Sequence, residues 1–370
     1  MSVLRPAVVE VSRAALSHNL QAIHAQVGNK KIMAVVKADA YGHGLTESAK
    51  TFAAAGADYF GVALVEEGIT LRRAGITQPI LVMGGLHGEQ IADYLDNNLD
   101  ITASSADKLR AIDAAAMATN KTARVHLKID TGMGRIGVQY DRLPPFIDAL
   151  LTCKNINIIG VFSHLATAEE TDLHFARTQI QRFETALAEL KSRGVAWQLA
   201  HIANSAAVLT LPESYFDMVR PGLALYGVAP TPAMQNILPL HPAMSLKSKI
   251  VYFKVLHRGQ SVSYGQHWKA EKDTRIVTIP LGYGDGYPRA LSGKAEVLIG
   301  GKRYPIAGNI CMDQMMADIR DASAYNGDEV VLIGPQGDEI ITAGEIAAKL
   351  GAVPHEILTS PNLRVPRVYL

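Results

Sequence analysis

Apolar residues in the first two thirds of the chain recur with two alternating spacings. Short β-branched runs, typical of buried strands, give way to longer stretches with the three-to-four-residue spacing of a helix. Eight runs predict strands, at Ile32–Val36, Tyr59–Ala63, Ile80–Met83, Asp100–Ala103, Arg124–Ile129, Ile156–Phe162, Trp197–His201 and Phe216–Arg220. Helical spacing between them covers Glu47–Ala55, Glu66–Ala74, Glu89–Asn97, Ala106–Met117, Phe146–Leu151 and Asp172–Arg193. This alternation predicts an α/β fold, a (β/α)8 TIM-type barrel, with an open doubly wound sheet as the alternative.

The pattern changes after a proline-rich stretch with prolines at 230, 232, 239 and 242. Beyond this linker the spacing is mainly that of strands, predicted at Ser248–Leu256, Arg275–Ile279, Glu296–Ile299, Arg303–Ile306, Glu329–Ile333 and Leu363–Tyr369. Gly300-Gly301 predicts a hairpin turn, Pro366 confines the last strand to a sheet edge, and Ala343–Leu350 has helical spacing. We therefore expect a barrel at residues 12–235 and a mainly β C-terminal domain at residues 236–370, joined by an N-terminal strand within residues 1–11.

Composition excludes several classes of function. The chain has 370 residues, of which 48% are hydrophobic and 19% charged, and its formal net charge is +1. That balance gives no electrostatic case for nucleic acid or an anionic membrane as a partner. Cys153 and Cys311 are the only cysteines, which excludes a disulfide framework. The first ten residues lack the pattern of a signal peptide, and no apolar run approaches the ~20 residues that cross a bilayer. We expect a cytoplasmic protein.

One segment points to chemistry more clearly than any other. It places Lys37 directly after the first predicted strand, ahead of the glycine-rich turn Gly42-His43-Gly44. A lysine is costly to bury, so one that leaves a buried strand usually points into a cleft, where burial lowers its pKa. A neutral amine there attacks a carbonyl and forms a Schiff base. A solvated lysine at the end of a strand is the alternative, and the segment alone does not decide between the two.

Further polar residues gather where the predicted strands end, which is the active face of a TIM barrel. They are Tyr41 after the first strand, Lys128 and Arg135 at or after the fifth, Ser163 and His164 after the sixth, Asn204 and Ser205 after the seventh, and Arg220 and Gly222 at or after the eighth. Phosphate often binds after strands seven and eight, where Ser205 and Gly222 offer a hydroxyl and an unshielded N–H. A lysine near a phosphate site predicts pyridoxal 5'-phosphate (PLP), which proteins hold on a lysine.

Two other patterns are weaker. Residues 132–137 match G-x-G-x-x-G, but no helix clearly starts inside them and residues 152–162 offer no acid at the spacing of a ribose contact. We interpret this segment as a loop. His164 and the two cysteines form no set with metal-ligand spacing, so we expect no metal. Taken singly, His164, Tyr264 and Tyr283 fit ordinary core or strand positions as well as functional ones.

In order along nearly the whole chain, the motifs resemble those of the alanine racemases, PLP enzymes with a barrel and a C-terminal β domain. The matching segments are residues 36–44 (VKADAYGHG), 128–137 (KIDTGMGRIG), 163–168 (SHLATA), 204–207 (NSAA), 219–227 (VRPGLALYG), 262–265 (VSYG), 282–286 (GYGDG) and 311–313 (CMD). The resemblance implies an isomerase that interconverts L-alanine and D-alanine and supplies D-alanine for peptidoglycan.

The resemblance also implies a role for each matching residue. Lys37 would hold PLP and act as one base, and Tyr264 of a partner subunit would act as the other, which requires a homodimer with shared sites. Arg135 and the Met312 backbone would bind the substrate carboxylate. The remaining matches would be Arg220 at the pyridine nitrogen with His164 behind it, Tyr41, Ser205, Gly222 and Leu223 at the phosphate, Asn204 among the cofactor contacts, Tyr283 and His355 at the entrance, and Lys128 as a carbamylated lysine.

These residue types suit racemisation, which removes the Cα proton on one face and supplies one on the other. Lysine and tyrosine have ordinary pKa values of about 10, which are too high for good bases at neutral pH. We expect burial and Arg220 to lower the pKa of Lys37, and a cation such as Arg135 to lower the pKa of Tyr264. Arginine never gives up its proton, so a pyridine nitrogen beside Arg220 stays an acceptor and PLP is a weaker electron sink. That disfavours a decarboxylase of similar barrel shape, which places a carboxylate there.

Three positions depart from the family pattern. His355-Glu356 stands where Tyr-Glu is usual, Asn309 where many relatives carry arginine, and Gly284 where alanine is common. These departures leave a broad-specificity amino-acid racemase as the nearest alternative. A non-catalytic PLP-binding protein is an alternative of another class, which Tyr264 and Met312 disfavour because single-barrel proteins of that kind lack the β domain.

Overall fold

The computed structural model describes residues 4–370, which form two compact units. The barrel unit contains residues 16–40 and 45–240, and the β unit contains residues 4–15, 41–44 and 241–370. Residues 1–3 of the predicted N-terminal strand lie outside the described part of the chain. Strand β1 (Val8–Val11) and helix α1 (Arg13–Val27) come first along the chain. The chain therefore contributes two short segments to the β unit before residue 241.

Eight parallel strands form the barrel. They are β2 (Lys31–Val35), β3 (Tyr59–Val62), β4 (Ile80–Val82), β5 (Asp100–Ala103), β6 (Ala123–Asp130), β8 (Ile156–Phe162), β9 (Leu199–His201) and β10 (Met218–Val219), with the short β7 (Val138–Gln139) paired to β6. Their order is β10-β2-β3-β4-β5-β6-β8-β9. The predicted eight-strand α/β architecture is confirmed.

Loop hydrogen bonds, rather than a strand ladder, join the two ends of this sheet. Asp217 N donates to Ala200 O at 3.0 Å, and Arg220 N donates to Ala203 O at 3.0 Å. The predicted strand Phe216–Arg220 shrinks to β10 because Phe216 has a φ of 46°, a left-handed conformation that a strand does not accept. The barrel is thus nearly closed, with its seam next to Arg220.

Helices follow most of the barrel strands. They are α2 (Leu45–Ala54), α3 (Val65–Arg73), α4 (Ile91–Asp96), α5 (Ala106–Ala118), α6 (Pro144–Thr152), α7 (His174–Ser192) and α8 (Ser205–Thr210). The interior of the barrel packs apolar side chains that include Met33, Leu81, Ile159 and Met218. Buried polar side chains lie among the strands as well, including Asp100, His126 and His201, each fully buried. Such groups require hydrogen-bond partners.

The β unit contains three sheets. Its strands beyond β1 are β11 (Met244–Lys249), β12 (Tyr252–Leu256), β13 (Ser261–Val262), β14 (Trp268–Lys269), β15 (Thr274–Ile279), β16 (Glu296–Ile299), β17 (Lys302–Pro305), β18 (Met315–Arg320), β19 (Glu329–Gln336), β20 (Glu339–Ile341) and β21 (Arg367–Tyr369). The largest sheet has the order β17-β16-β19-β11-β1-β21, with β20 on β19, and the others are β12-β15-β18 and β13-β14. Two helices, α9 (Ala343–Leu350) and α10 (Pro354–Thr359), complete the unit.

Two predicted strands of this unit differ from the structure. The single strand predicted at Ser248–Leu256 is wrong, because β11 and β12 belong to different sheets. The chain changes sheet at two consecutive amides: Ile250 N donates to Asp328 O, and Val251 N to Thr278 O, each at 3.0 Å. The strand predicted at Leu363–Tyr369 begins only after Pro366, and it lies at a sheet edge as that proline requires. Within residues 4–370, no helix has both the length and the apolarity needed to span a membrane.

Candidate active site

Lys37 follows β2 and begins a left-handed helical turn. Ala38, Asp39, Ala40 and Tyr41 all have φ values between 53° and 55°. Non-glycine residues pay roughly 1–2 kcal/mol each for this conformation. A run of four therefore persists only if surrounding contacts hold it, and strain of this kind concentrates at functional sites.

Side-chain carboxylates hold this turn on the barrel side. Glu67 Oε1 accepts from Ala38 N at 2.6 Å, while Glu67 Oε2 accepts from Ala63 N at 2.8 Å and from Leu64 N at 3.1 Å. Asp39 Oδ1 accepts from Leu45 N at 2.7 Å. Glu67 thus ties the residue after Lys37 to the end of β3, which fixes the direction in which Lys37 leaves the strand.

The Lys37 amine lies in a setting that favours its neutral form. Burial lowers its pKa, the cations Arg135 and Arg220 lower it further, and Glu67 acts in the opposite direction. Lys37 is only partly buried, so the amine is accessible as well as shifted. A lowered pKa and access are the two conditions for a nucleophilic or basic lysine.

Arg220 is a fully buried cation held by several acceptors. Its Nη1 donates to His201 Nδ1 at 2.9 Å, and its Nη2 lies 2.7 Å from Ser163 O, 3.2 Å from Ile202 O and 3.2 Å from His164 Nδ1. Burial, with a smaller effect from Arg135, lowers the pKa of Arg220 to about 9, so the guanidinium keeps its charge at neutral pH. Within residues 4–370 its Nε–H has no acceptor, which leaves this N–H group available to a bound ligand.

His164 is held in one tautomer by the same guanidinium. Because Arg220 only donates, His164 Nδ1 accepts and the ring proton sits on Nε2. Burial and the Arg220 cation keep the pKa of His164 well below its usual range. The fully buried Gln179 of α7 fixes this loop, since its Nε2 donates to His164 O at 3.0 Å and its Oε1 accepts from Ala166 N at 2.8 Å.

Ser205 joins the loops after β9 and β10. Its Oγ accepts from Gly222 N at 2.9 Å and from Ala224 N at 3.2 Å, and Leu223 begins a buried 3₁₀ turn between them. Asn204 caps α8 through a 3.0 Å bond from Ala207 N to its Oδ1. The predicted residues Asn204, Ser205, Gly222 and Leu223 therefore lie together, and they bring a hydroxyl and several backbone N–H groups to one place.

Lys128 and Arg135 border a loop that contains no helix, in agreement with the interpretation of the G-x-G-x-x-G match as a loop. Lys128 Nζ lies 4.3 Å from the centre of the Phe162 ring, and within residues 4–370 it has no hydrogen-bond acceptor. Burial, Arg220 and Arg135 hold its pKa well below the usual range. Gly137, with a φ of 123°, brings the loop back against Lys128, because a Cβ there would lie 2.9 Å from Lys128 O. Arg135 itself is exposed.

Five of the predicted site residues lie in the β unit. The Tyr41 ring packs 5.6 Å from the His355 ring of α10, measured between centroids, at a tilt of 43°. Tyr264, Tyr283 and Met312 are 73%, 41% and 52% exposed. Tyr264 and Met312 line one open pocket together with Ser263, Cys311, Asp313 and Gln314.

Backbone and side-chain bonds hold the loops of that pocket. Asn309 Nδ2 donates to Tyr264 O at 2.8 Å, and Ser263 Oγ donates to Asn309 O at 2.6 Å. Met312 O accepts from Gly284 N at 2.8 Å, whereas the Met312 N–H has no acceptor within residues 4–370. In the same described part of the chain, no group of three or more His, Cys, Asp and Glu side chains is arranged to hold a metal ion.

Comparisons with known proteins show the family to which the chain belongs. The family model "Alanine racemase, N-terminal domain" matches residues 11–230, and "Alanine racemase, C-terminal domain" matches residues 243–369. The chain belongs to the alanine racemase family. An alanine racemase of Carboxydothermus hydrogenoformans is 43% identical over 369 residues, which cover 99% of this chain and 100% of that protein. The predicted resemblance is confirmed.

Solved structures of the alanine racemase family have the same fold. The alanine racemase of Streptomyces lavendulae superposes with a TM-score of 0.96 at 38% identity, covering 100% of this chain and 98% of that one. A histidine racemase from Leuconostoc mesenteroides superposes with a TM-score of 0.91 at 32% identity, covering 100% and 99%. Alanine racemases are PLP-dependent isomerases, so the chain is an enzyme of the alanine racemase class.

Two residues that hold this site were not singled out from the sequence, Glu67 and Gln179, and Asn309 was named there only as a departure from the family pattern. Only Gln179 carried a signal, because it lies three residues after Ala176 and four before Phe183, on the buried face of a predicted helix. A glutamine among core positions indicates a buried polar contact. Glu67 and Asn309 act on backbone groups of other segments, which no local pattern reports.

We expect Ser205→Ala to lower the free energy of unfolding by about 1–3 kcal/mol, because two buried N–H groups lose their shared acceptor. Urea unfolding followed by tryptophan fluorescence measures this change. Ser192→Ala is the matched control, since the Oγ of Ser192 donates to Glu189 O at the exposed end of α7. Equal unfolding midpoints for the two variants would contradict the assignment of Ser205 as the link between the loops.

Proposed function

We propose that this chain interconverts L-alanine and D-alanine with PLP held on Lys37, by a two-base mechanism. One observation carries the proposal: an accessible lysine of lowered pKa and a fully buried arginine with a spare donor follow two neighbouring strands of one barrel. The biological role that fits this activity is the supply of D-alanine for peptidoglycan.

The residues of the barrel unit suit PLP. The Lys37 amine, whose pKa is lowered, suits the aldehyde, and the Nε–H of Arg220 suits the pyridine nitrogen. The Ser205 O–H suits the phosphate, since its oxygen already accepts from the N–H groups of Gly222 and Ala224. His164, with its proton on Nε2, offers one more donor behind Arg220. When bound, PLP supplies an electron sink for the carbanion at the substrate Cα.

Arg220 then decides the type of reaction. With PLP bound, its guanidinium would donate to the ring nitrogen and would not protonate it, so PLP would supply a weaker electron sink than with a carboxylate partner. A weaker sink would limit transamination and favour return of a proton to Cα. Arg220 therefore supports racemisation rather than decarboxylation.

Two groups would move the proton at Cα. The Lys37 amine acts on one face, and the phenol oxygen of Tyr264 of the partner subunit acts on the other. Arg135, whose guanidinium is exposed, and the spare N–H of Met312 are the candidate donors to the substrate carboxylate. Holding the carboxylate fixes which bond of Cα points at each base.

Lys128 has the properties of a lysine that adds carbon dioxide. Its amine is buried, its pKa is well below the usual range, and no acceptor within residues 4–370 holds a proton on it. Addition of CO₂ to the neutral amine forms a carbamate and releases one proton. Arg220 and Arg135 are the two cations that now lower the pKa of Lys128. The carbamate anion would lie near both of them and would orient Arg135.

Lys37 is tested by reduction with borohydride. We expect the purified protein to be yellow, to bleach on reduction, and to carry the cofactor label on the peptide that contains Lys37. Lys37→Ala should carry no label, whereas Lys31→Ala, at the other end of β2, should be labelled as the unaltered protein is. A colourless protein after addition of PLP, or a label on another amine, would overturn the proposal.

A racemase of broader specificity is a second candidate, favoured by the fold shared with a histidine racemase and by His355, whose ring packs on Tyr41. Exchange of the Cα proton in D₂O separates the candidates when alanine, serine, lysine, arginine and histidine are compared. We expect alanine to exchange at least roughly tenfold faster, in kcat/KM, than the others. Comparable exchange of several of them would favour the broader enzyme.

The exposed apolar side chains of the β unit support a homodimer. Tyr252, Phe253 and Val255 of the edge strand β12 are 57%, 47% and 54% exposed, in addition to Tyr264 and Met312. A monomer gains nothing from exposing so many large apolar groups, and an edge strand left open invites pairing. A second copy of this chain is the partner we propose, most simply with two-fold symmetry.

Mixing of inactive subunits tests the shared site. Lys37→Ala and Tyr264→Phe should each be nearly inactive, but their mixed dimer has one intact site. At equal amounts half of the dimers are mixed, so activity should return to about a quarter of normal. Lys37→Ala mixed with the double variant is the control, because no dimer of that pair has an intact site. No recovery despite demonstrated subunit exchange would show that the bases belong to one chain.

A further inference from the structure

A chain of buried polar side chains leads away from Arg220 into the barrel. His201 Nδ1 lies 2.9 Å from Arg220 Nη1, His201 Nε2 lies 3.0 Å from His126 Nδ1, and His126 Nε2 lies 3.2 Å from Asp100 Oδ2. His126, His201 and Asp100 are fully buried. None of these three is needed for the chemistry proposed above, yet they form one connected path to the residue that faces the cofactor.

The chemistry of the two ends fixes the direction of every bond in this path. Arg220 only donates, so His201 accepts at Nδ1 and carries its proton on Nε2. His201 therefore donates to Nδ1 of His126, whose own proton sits on Nε2 and points at Asp100. An ionised carboxylate only accepts, so Asp100 at the end of the path is a matching acceptor for the His126 N–H. Both rings are neutral, with one proton each, and no group in the path is left unpaired.

The titration behaviour of the members agrees with this assignment. Burial lowers the pKa of His126 and holds that of His201 well below the usual range, so both rings stay neutral at pH 7. Hydrogen bonds from His126 and Arg124 hold the pKa of Asp100 below its usual value in spite of its burial. The Asp100 carboxylate at one end of the path and the Arg220 guanidinium at the other are therefore both charged at pH 7, with two neutral rings between them.

Packing holds the rings at these angles. The His201 ring stacks on Phe162, with 5.1 Å between centroids and 9° between planes. Residue 160 must be glycine for His126 to fit, because a Cβ there would lie 2.4 Å from His126 Nδ1. The ring positions are therefore built into β6 and β8 and do not depend on the hydrogen bonds alone.

The path runs along the strands from one end of the barrel to the other. Asp100 and Tyr59 are the first residues of β5 and β3, His126 is in the middle of β6, and His201 is the last residue of β9. At the far end, Arg124 Nε donates to Asp100 Oδ1 at 2.6 Å, and Tyr59 OH donates to Asp100 Oδ2. Arg124 is the outermost member, with its side chain 33% exposed.

We propose that Asp100 is a positioning residue for Arg220: through His126 and His201 it fixes a one-way hydrogen-bond chain that holds the guanidinium in place from the opposite end of the barrel. Arg124 and Tyr59 hold the carboxylate that terminates this chain. The effect on catalysis rests on the proposed function, whereas the direction of the chain does not.

An amide at position 100 conflicts with the chain. If the amide oxygen receives Arg124 Nε, the NH₂ group faces His126 Nε2, and His126 must then move its proton to Nδ1. That change forces His201 to protonate Nδ1, which points an N–H at Arg220 Nη1. If the amide is turned the other way, its NH₂ group faces Arg124. Asp100→Asn therefore removes the terminal ion pair with Arg124 in either orientation, and in addition it either reverses the chain or turns an NH₂ group against Arg124.

The tautomers are measurable in the unaltered, PLP-loaded protein by long-range proton–nitrogen NMR of ¹⁵N-labelled histidine. His126→Gln and His201→Gln assign the two sets of signals among the 12 histidines. We expect both rings to be neutral with the proton on Nε2. A ring protonated on Nδ1, or on both nitrogens, at pH 7 would overturn the proposal whatever the activity of the enzyme, and this measurement needs no variant at Asp100.

The coupling to Arg220 is tested with Asp100→Asn. We expect loss of the single Nε2–H tautomer at His201, a changed absorption spectrum of bound PLP, roughly tenfold lower kcat, and a KM for alanine within about twofold of normal. Asp107→Asn is the matched control, because Asp107 loses the same charge in an exposed ion pair, 2.9 Å from Arg110. Unchanged His201 signals and an unchanged PLP spectrum in folded Asp100→Asn would overturn the role of Asp100.

Discussion

The contact on which this structure depends is the one between the Arg220 guanidinium and its buried acceptors. A fully buried cation with no carboxylate in direct contact is costly unless its donors are matched. The matching groups come from the ends of β8 and β9, at His201, Ser163 O and Ile202 O, while the backbone N–H of Arg220 itself bonds across the barrel seam to Ala203 O. The same residue therefore bonds across the barrel seam through its backbone and places its guanidinium among acceptors at the strand ends.

A second consequence of this cation is electrostatic. Arg220 and Arg135 both lower the pKa of Lys37, and the same two cations lower that of Lys128. Because burial and like charges both disfavour protonation, the pKa values of these two lysines are lowered without a dedicated base beside them. The excess of positive charge also suits ligands with phosphate and carboxylate groups. One arrangement thus both activates the lysines and attracts what they act on.

The sequence was sufficient for the architecture and for placing the candidate polar residues after the strand ends, since parallel strands end at one face and these residues follow those ends. Their roles stay predictions. It was not sufficient where the outcome depends on distant backbone. The split between β11 and β12 is decided by hydrogen bonds to Asp328 and Thr278, and nothing within residues 248–256 reports it. The alanines after Lys37 predict a helix, and the left-handed turn found there is held by bonds that include those from Ala38 N to Glu67 and from Leu45 N to Asp39.

The two proposed bases share a feature that explains why such distant contacts are needed. Lys37 is followed by Ala38, with a φ of 55°, and Tyr264 is preceded by Ser263, with a φ of 69°. Ala38 is in the left-handed helical region, with a ψ of 55°, whereas Ser263 has an extended ψ of −179°. Non-glycine residues avoid both conformations at a cost of roughly 1–3 kcal/mol each, so each base lies beside a conformation that the local sequence does not favour. Side chains from elsewhere stabilise both: Glu67 on the barrel side, and Asn309 on the β side through Tyr264 O.

A flexible lysine or a surface tyrosine could sample many directions. Fixing the adjacent backbone in a strained state reduces that freedom, and Glu67 and Asn309, which hold this backbone, are not among the proposed substrate contacts.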